Sequence, residues 1–285
     1  MKFSIATSSC FVSENQREYL IESMQETPKN VEPSHQSTAI VAGVDGCKGG
    51  WIICSLDVHE PVADDGENGV KNGASIGVRF DAVATFAEII ARRPRISMVA
   101  VDMPIGLSAG SPRACDIEAR KRLSPYRHTS VFPAPVRAVL DAGDYGDACR
   151  RSRDACGKAI TKQTWHITPK IREVDACLTP ARQRWIREVH PELSFAAMNE
   201  DQPVRESKHS AAGLDIRQSL LEAALGRDHF PAIRNAVSKN QVGDDDILDA
   251  LAATWSAWRL HRNEGACLPE QPVRDSRGLR MEICW

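Results

Sequence analysis

No part of the 285-residue chain approaches the ~18 consecutive apolar residues of a membrane span, so no membrane partner is expected. The nine cysteines (10, 47, 54, 115, 149, 156, 177, 267, 284) are odd in number, scattered, and never spaced as Cys-x-x-Cys. That pattern argues against a structural zinc site or a disulfide framework and suits reduced thiols in a cytoplasmic protein. The apolar stretch after Met1 is broken by serines and a threonine, unlike the continuous core of an export signal. Aromatic residues make up only 6% of the chain, too few for extensive stacking on nucleobases. There is no internal repeat, and so no sign of a duplicated domain.

Apolar residues make up 42% and charged residues 26%, the balance of a globular protein with a substantial core. The formal charge of −2 conceals an asymmetry: between Arg113 and Arg187 sixteen Lys/Arg face eight Asp/Glu. A basic segment beside acidic clusters suits metal ions next to a polyanion, and it equally suits a solvated helical surface.

Residues 1–38 are polar, with Pro28, Pro33 and no sustained periodicity, and read as a flexible extension carrying at most a short helix near Glu18–Met24. From Ile40 the pattern predicts strands at Ile40–Val44, Trp51–Val58 and Ser75–Asp81, with Pro61–Ala74 as a hairpin tip. A helix over Ala82–Arg92 and a fully apolar strand at Ile96–Val101 follow. Further helices are predicted at Arg113–Leu123, Ala134–Ala142, Asp147–Ala159, Pro180–Arg187, Gly213–Leu225 and Asp246–His261. Pro125–Pro135 reads as a basic loop, and Trp185–Val189 is an alternative fifth strand. Residues 264–285 carry no pattern and read as a tail. A doubly wound dinucleotide fold would alternate strand and helix from the start. Three hairpin strands, a helix and a buried strand instead predict an α/β ribonuclease H-like mixed sheet over 39–263. Flanking helices and a basic helical insertion at about 113–187 complete the prediction.

Carboxylates stand where apolar runs break off. Asp45 ends Ile40–Val44 and opens a turn with three glycines and Lys48, in Gly43-Val-Asp-Gly-Cys-Lys-Gly-Gly-Trp51. Glycine permits close approach to a phosphate or metal, although such an acid also caps turns, and actin-like kinases begin similarly. Asp102 ends Met98–Val101, where a charge must be solvated, paired or metal-bound. Asp246 and Asp249, three residues apart on a predicted helix, share a face, while Asp244 and Asp245 suit its N-terminus. Glu188-Val-His-Pro-Glu192 adds two acids and His190, candidates for proton transfer. Acids from strand ends and a helix suit hard divalent ions, Mg²⁺ or Mn²⁺, which act on phosphodiesters.

These segments resemble the family catalogued as domain of unknown function 429, described as predicted ribonuclease H-like nucleases. The resemblance rests on the Gly43–Trp51 and Val101–Leu107 segments, Arg113-x-Cys-Asp-x-x-Ala-Arg120, Ser130–Arg137 and Gln163–Ile171. It continues through Glu188–Phe195, Ser207-Lys208 and Asp246-x-x-Asp-Ala-Leu-Ala252, in family order from about Ile40 to Arg262. The last motif is similar to the closing motif of Holliday-junction resolvases, where both aspartates are catalytic. The resemblance implies Asp45, Asp102, Asp246 and Asp249 as ligands of Mg²⁺ or Mn²⁺ in a nuclease, with Glu188, His190 or Glu192 handling protons. Nucleic acid would be held by Lys48, Arg113, Arg120, Arg127, Lys170 and Lys208. An actin-like ATPase would need a second Gly-rich loop, and a non-catalytic nucleic-acid-binding module would be expected to have lost its acids.

Overall fold

The computed structural model describes residues 38–59 and 77–285. Residues 1–37 of the extension expected over 1–38, and the Pro61–Ala74 hairpin tip, lie outside the described residues, while residue 38 already belongs to the first strand. A five-stranded mixed sheet has the order β3-β2-β1-β4-β5. β1 (Thr38–Cys47), β2 (Gly50–His59) and β3 (Val78–Val83) are successive antiparallel neighbours. β4 (Met98–Val101) runs parallel to β1, and β5 (Ile186–Glu188) parallel to β4. The α/β class and mixed sheet expected from the sequence are present.

Strand alternation divides the core in two. Ala42, Val44, Val99 and Val101 pack with Phe86 and Ile89 of α1 (Phe86–Ala91) and with Ile171 and Val174 of α4 (Lys162–Cys177). Val41 and Ala100 turn the other way, onto Ala253 and Ala257 of α8 (Asp244–His261). Buried residues fall all round α8, the mark of a central helix. Between these lie α2 (Ala114–Arg122), α3 (Tyr145–Cys156), α5 (Pro191–Met198), α6 (Ala211–Leu225) and α7 (His229–Ala236).

Several boundaries differ from expectation for local reasons. α1 starts at Phe86 because Thr85 and Glu88 form a reciprocal cap, each accepting the other's backbone N–H. Glycine at position 157, with φ of 75°, stops α3 short of the predicted Ala159. Ala134–Ala142 contains only a 3₁₀ turn at Arg137–Asp141, since Pro135 lies inside the predicted span. Pro180–Arg187 is not a helix: a 3₁₀ turn at Arg182–Arg184 leads into β5, so the alternative strand is the one present. The basic span 113–187 is therefore not only a helical insertion, since it ends in a strand of the main sheet.

Residues 264–285 are not an unpatterned tail. β6 (Cys267–Leu268) and β7 (Ile283–Cys284) pair antiparallel, and Cys284 bridges Val189 beyond the end of β5. Ile283 and Trp285 are buried with Cys115, Ala119 and Leu123 of the α2 region. Cys267 and Cys284 are joined as a disulfide, contrary to the expectation of reduced thiols throughout, while Cys47, Cys54, Cys115, Cys149, Cys156 and Cys177 are free.

Candidate functional site

Asp45 and Asp102 emerge side by side because β1 and β4 are parallel and in register. Val44 pairs with Val101, and Asp102 N–H donates to the Val44 carbonyl at 3.0 Å. By alternation both acids follow the strand positions that face α8. Gly43 fixes how closely that helix approaches: a Cβ there would lie 2.0 Å from Thr254 N and 2.2 Å from the Ala250 carbonyl. Thr254 Oγ1 accepts the Gly43 N–H at 3.2 Å and donates to the Cys54 carbonyl at 3.0 Å, clamping α8 to β1 and β2. Asp249, one turn before Ala253, thereby reaches the cleft that Asp45 and Asp102 line.

Charge in this cleft is poorly balanced. Asp45 and Asp249 are 8% and 5% exposed. Burial, and then the charges of Asp102, Asp249 and Asp246, push the Asp45 carboxyl well above the usual range. Asp102 is pushed up to about 6 by burial, an effect that His190 opposes and Asp249 reinforces. One Asp45 oxygen accepts the Gly46 N–H at 2.7 Å, whereas the Asp102 carboxylate accepts no hydrogen bond among the described residues. The cation at the acids is Lys208, 2.7 Å from Asp249 and 3.6 Å from Asp245. Its pKa is raised despite burial by the Asp249 charge and hydrogen bond.

The remaining sequence candidates separate on contact. Glu188 is sealed against Arg113 at 2.7 Å, and Arg113, 3% exposed, also binds Asp116. Arg113 lines the cleft but is buried and held by these two carboxylates, and burial pushes Glu188 up to about 7 against its opposing charge. Glu192 is held by both oxygens on Arg217, at 2.7 and 2.9 Å. Both glutamates line the cleft, each already paired with a buried arginine. His190 accepts the Glu192 N–H through Nδ1 and meets the Ser130 carbonyl through Nε2, so both ring nitrogens are engaged. Asp246 accepts the Gly243 N–H at 2.8 Å and closes the start of α8, adding charge without lining the cleft. Arg120 donates to the Val131 carbonyl, and Lys48 is exposed; neither lines the cleft.

Lys170, Arg127 and Lys208 do line it, around a volume of about 600 Å³. Lys170 donates to the Gly50 carbonyl and lies 4.5 Å over the Trp51 ring, bracing the turn after Asp45. Gln163, His166 and Ile167 from the same α4 also line the cleft, and the sequence reading missed this helix because Pro169 lies inside it. The cap Thr161, which accepts the Thr164 N–H, was the available signal.

Carboxylate oxygens are the donors a hard divalent cation takes, and Asp45, Asp102 and Asp249 are the residues here that could offer them. These carboxylates share the cleft without being gathered to the spacing of one ion. Among the described residues, only Cys267, Glu282 and Cys284 bring a ligand atom each within 4.8 Å of one another. Those two sulfurs are bonded together, and Arg187 lies 3.0 Å from Glu282, which makes that group a cross-link. A family model described as "Protein of unknown function (DUF429)" matches residues 43–274, more than half of the chain and all four aspartates. No curated protein and no solved structure matches it.

Proposed function

This chain belongs to the DUF429 family of unknown function, and from that premise we propose a metal-dependent hydrolase of phosphodiester bonds on a ribonuclease H-like core. The strand order, with β2 alone antiparallel to both neighbours, an acid near the end of the first strand and one just past the fourth, supports that core. The observation carrying the reading is the acid cluster itself: Asp45, Asp102 and Asp249 line one cleft, and among the described residues the cation paired directly with them is Lys208, on Asp249. A cation there would offset the burial, and then the mutual repulsion, that raise Asp45 and Asp102. Fold alone would not license an activity.

Mg²⁺ or Mn²⁺ held by these three aspartates would lower the pKa of an attacking water and stabilise the departing oxygen. The protein supplies the rest. The Gly46 N–H fixes one oxygen of Asp45 and leaves the other for the ion. Asp102 brings two oxygens that accept no hydrogen bond among the described residues. Lys208 holds Asp249 in place and, released from it, offers its charge to the phosphate. Lys170 and Arg127 flank the path of a polyanion, and His190 fixes the Ser130 backbone at the rim. Nucleic acid is the polyanion this arrangement fits best.

Hydrolysis of DNA, RNA and a small phosphodiester in Mn²⁺ and in Mg²⁺, wild type against Asp45→Asn, tests the reading. Metal-dependent turnover lost in the variant, together with Mn²⁺-induced thermal stabilisation of the wild type alone, is expected. Turnover that survives in Asp45→Asn, or no response of the wild type to either metal, would refute it.

A further inference from the structure

A loop that lines the cleft together with the acids presents an aromatic ring that nothing in the described chain covers. Phe132 is 41% exposed and lines the cleft. Its backbone is pinned on both sides: Arg120 donates to the Val131 carbonyl at 2.7 Å, and Asp116 accepts the Ala134 N–H at 3.0 Å. Pro133 and Pro135 stiffen the chain further. Asp116 is itself held by the buried Arg113, so the platform is tied into the core. An apolar ring on a pinned backbone, with its surface left to solvent beside charged groups, is a preorganised stacking surface.

The cleft supplies the rest of a ligand's outline. On α4, Gln163, His166, Ile167 and Lys170 fall at i, i+3, i+4 and i+7, one helical face, and all four line the same cleft. The acids lie deep in it, and about 600 Å³ is the scale of pockets that hold a small ligand, roughly 300–1,000 Å³. A duplex keeps both faces of each base stacked on its neighbours and offers its phosphates from the outside of a cylinder. It could neither stack on Phe132 nor deliver a phosphate to the floor without opening. An unpaired nucleotide can do both, since every base has a π-face.

Resting on the proposed hydrolase reading, we infer that the cleft takes a single-stranded polynucleotide, one unpaired base stacking on Phe132 while its phosphodiester reaches Asp45, Asp102 and Asp249. The α4 face then tracks the strand with Lys170 toward phosphate and with Gln163 and His166 toward sugar or base edges.

The test is binding by fluorescence anisotropy in Ca²⁺, a hard cation that neutralises the acids. The probes are a labelled single-stranded DNA, a single-stranded RNA, the blunt duplex of the DNA and a mononucleotide, alongside Mn²⁺-dependent hydrolysis of the same set. Phe132→Ala, a change at an exposed ring, should leave thermal stability unchanged. It should weaken single-strand binding by roughly 5- to 150-fold, the worth of one base–aromatic stack. Gln163→Ala gives a second exposed variant with the same expected direction. The duplex should bind weakly and be indifferent to Phe132. Equal binding of duplex and single strand, or a Phe132→Ala variant that binds like wild type, overturns the inference. Recognition of the mononucleotide alone overturns it in favour of a small phosphoester. Hydrolysis of a small phosphodiester without single-strand binding would sink this inference and leave the hydrolase standing. Phe132-dependent strand binding without any hydrolysis would do the reverse.

Discussion

Replacing Asp102 by asparagine removes a charge that the metal-free cleft resists and that a bound cation would use, so its effects on stability and on metal response should have opposite signs. In the folded protein the Asp102 carboxyl is pushed from 3.8 up to about 6, with burial the largest cause. The native state therefore holds this proton more tightly than the unfolded chain does. Its contribution to stability is fully present below about pH 3.8 and is lost as pH rises through about 6. At 1.36 kcal/mol per pH unit, the interval between 3.8 and about 6 corresponds to about 3 kcal/mol of ionisation penalty above pH 6.

Asparagine keeps the shape and carries no charge, so metal-free Asp102→Asn should be more stable than wild type at pH 7.5 by up to about 3 kcal/mol. At ~2–4 °C per kcal/mol for a domain of this size, Tm should rise by up to about 6–12 °C. Thermal melts in EDTA at pH 7.5 and pH 5 provide the check, because the gain should shrink at pH 5, where wild-type Asp102 is mostly protonated. In Mn²⁺ the order should narrow or invert, since wild type gains by binding and the variant has lost a ligand. A variant no more stable than wild type in EDTA at pH 7.5 would mean that the charge is already compensated. The case for a waiting cation site would then lose its electrostatic basis.

Gly43→Ala should cost about 3 kcal/mol or more, seen as a lower urea midpoint, because the new Cβ meets the backbone of α8 instead of a side chain that can move. Arg113→Met should cost about 3–5 kcal/mol by leaving Glu188 and Asp116 buried without their cation. Poor soluble expression of that variant is the expected sign, and a well-folded variant with weakened substrate binding would restore the gripping role. Lys208→Met should lower metal-free stability by about 1–3 kcal/mol and enlarge the stabilisation by Mn²⁺, since Asp249 loses its internal counter-ion. Reduction of Cys267–Cys284, separated by 17 residues, should lower stability by about 3 kcal/mol, read as a Tm shift with dithiothreitol that is absent in Cys267→Ser.

The strands were legible where burial imposes a pattern. Met98–Val101, buried on both faces, reads as an unbroken apolar run, and β2, buried on both faces from Trp51 to Cys54, is found as a strand although alternation is not its pattern there. The aspartates were legible for the same reason: a charge ending such a run stands out against it. α4 was not, because a proline within a sequence reads as a stop, while here Pro169 is exposed on a helix held by its buried residues Thr164, Thr168, Ile171 and Val174. The C-terminal hairpin was illegible because its two strands are two residues each and its order comes from contacts with β5 and α2. Periodicity cannot register so short a segment.

What the sequence could not separate was one acid from another within a motif, and the reason is parity. In Glu188-Val-His-Pro-Glu192 both glutamates look equally available. Along β5, however, Arg187 pairs with Ala100 and Glu188 with Val101, and Ala100 and Val101 belong to opposite layers of the core. Glu188 is thereby committed to the layer away from α8, where Arg113 closes on it. Glu192 falls at the start of α5, where Arg217 from α6 takes both its oxygens. Asp45 and Asp102 follow the opposite parity, on the α8 side, and among the described residues no arginine pairs with them. The same distinction sorts the cations. Arginine, with a planar fork suited to both oxygens of a carboxylate, seals Glu188 and Glu192, whereas a lysine, a compact and more readily displaced point charge, stands at Asp249. A cluster meant to stay neutral would be expected to carry the fork; one meant to exchange its counter-ion is better served by the ammonium. Lys208→Arg is accordingly the sharper substitution: it should keep metal-free stability and blunt the response to Mn²⁺. A variant with unaltered metal response would show that the choice of lysine at the acids carries no function.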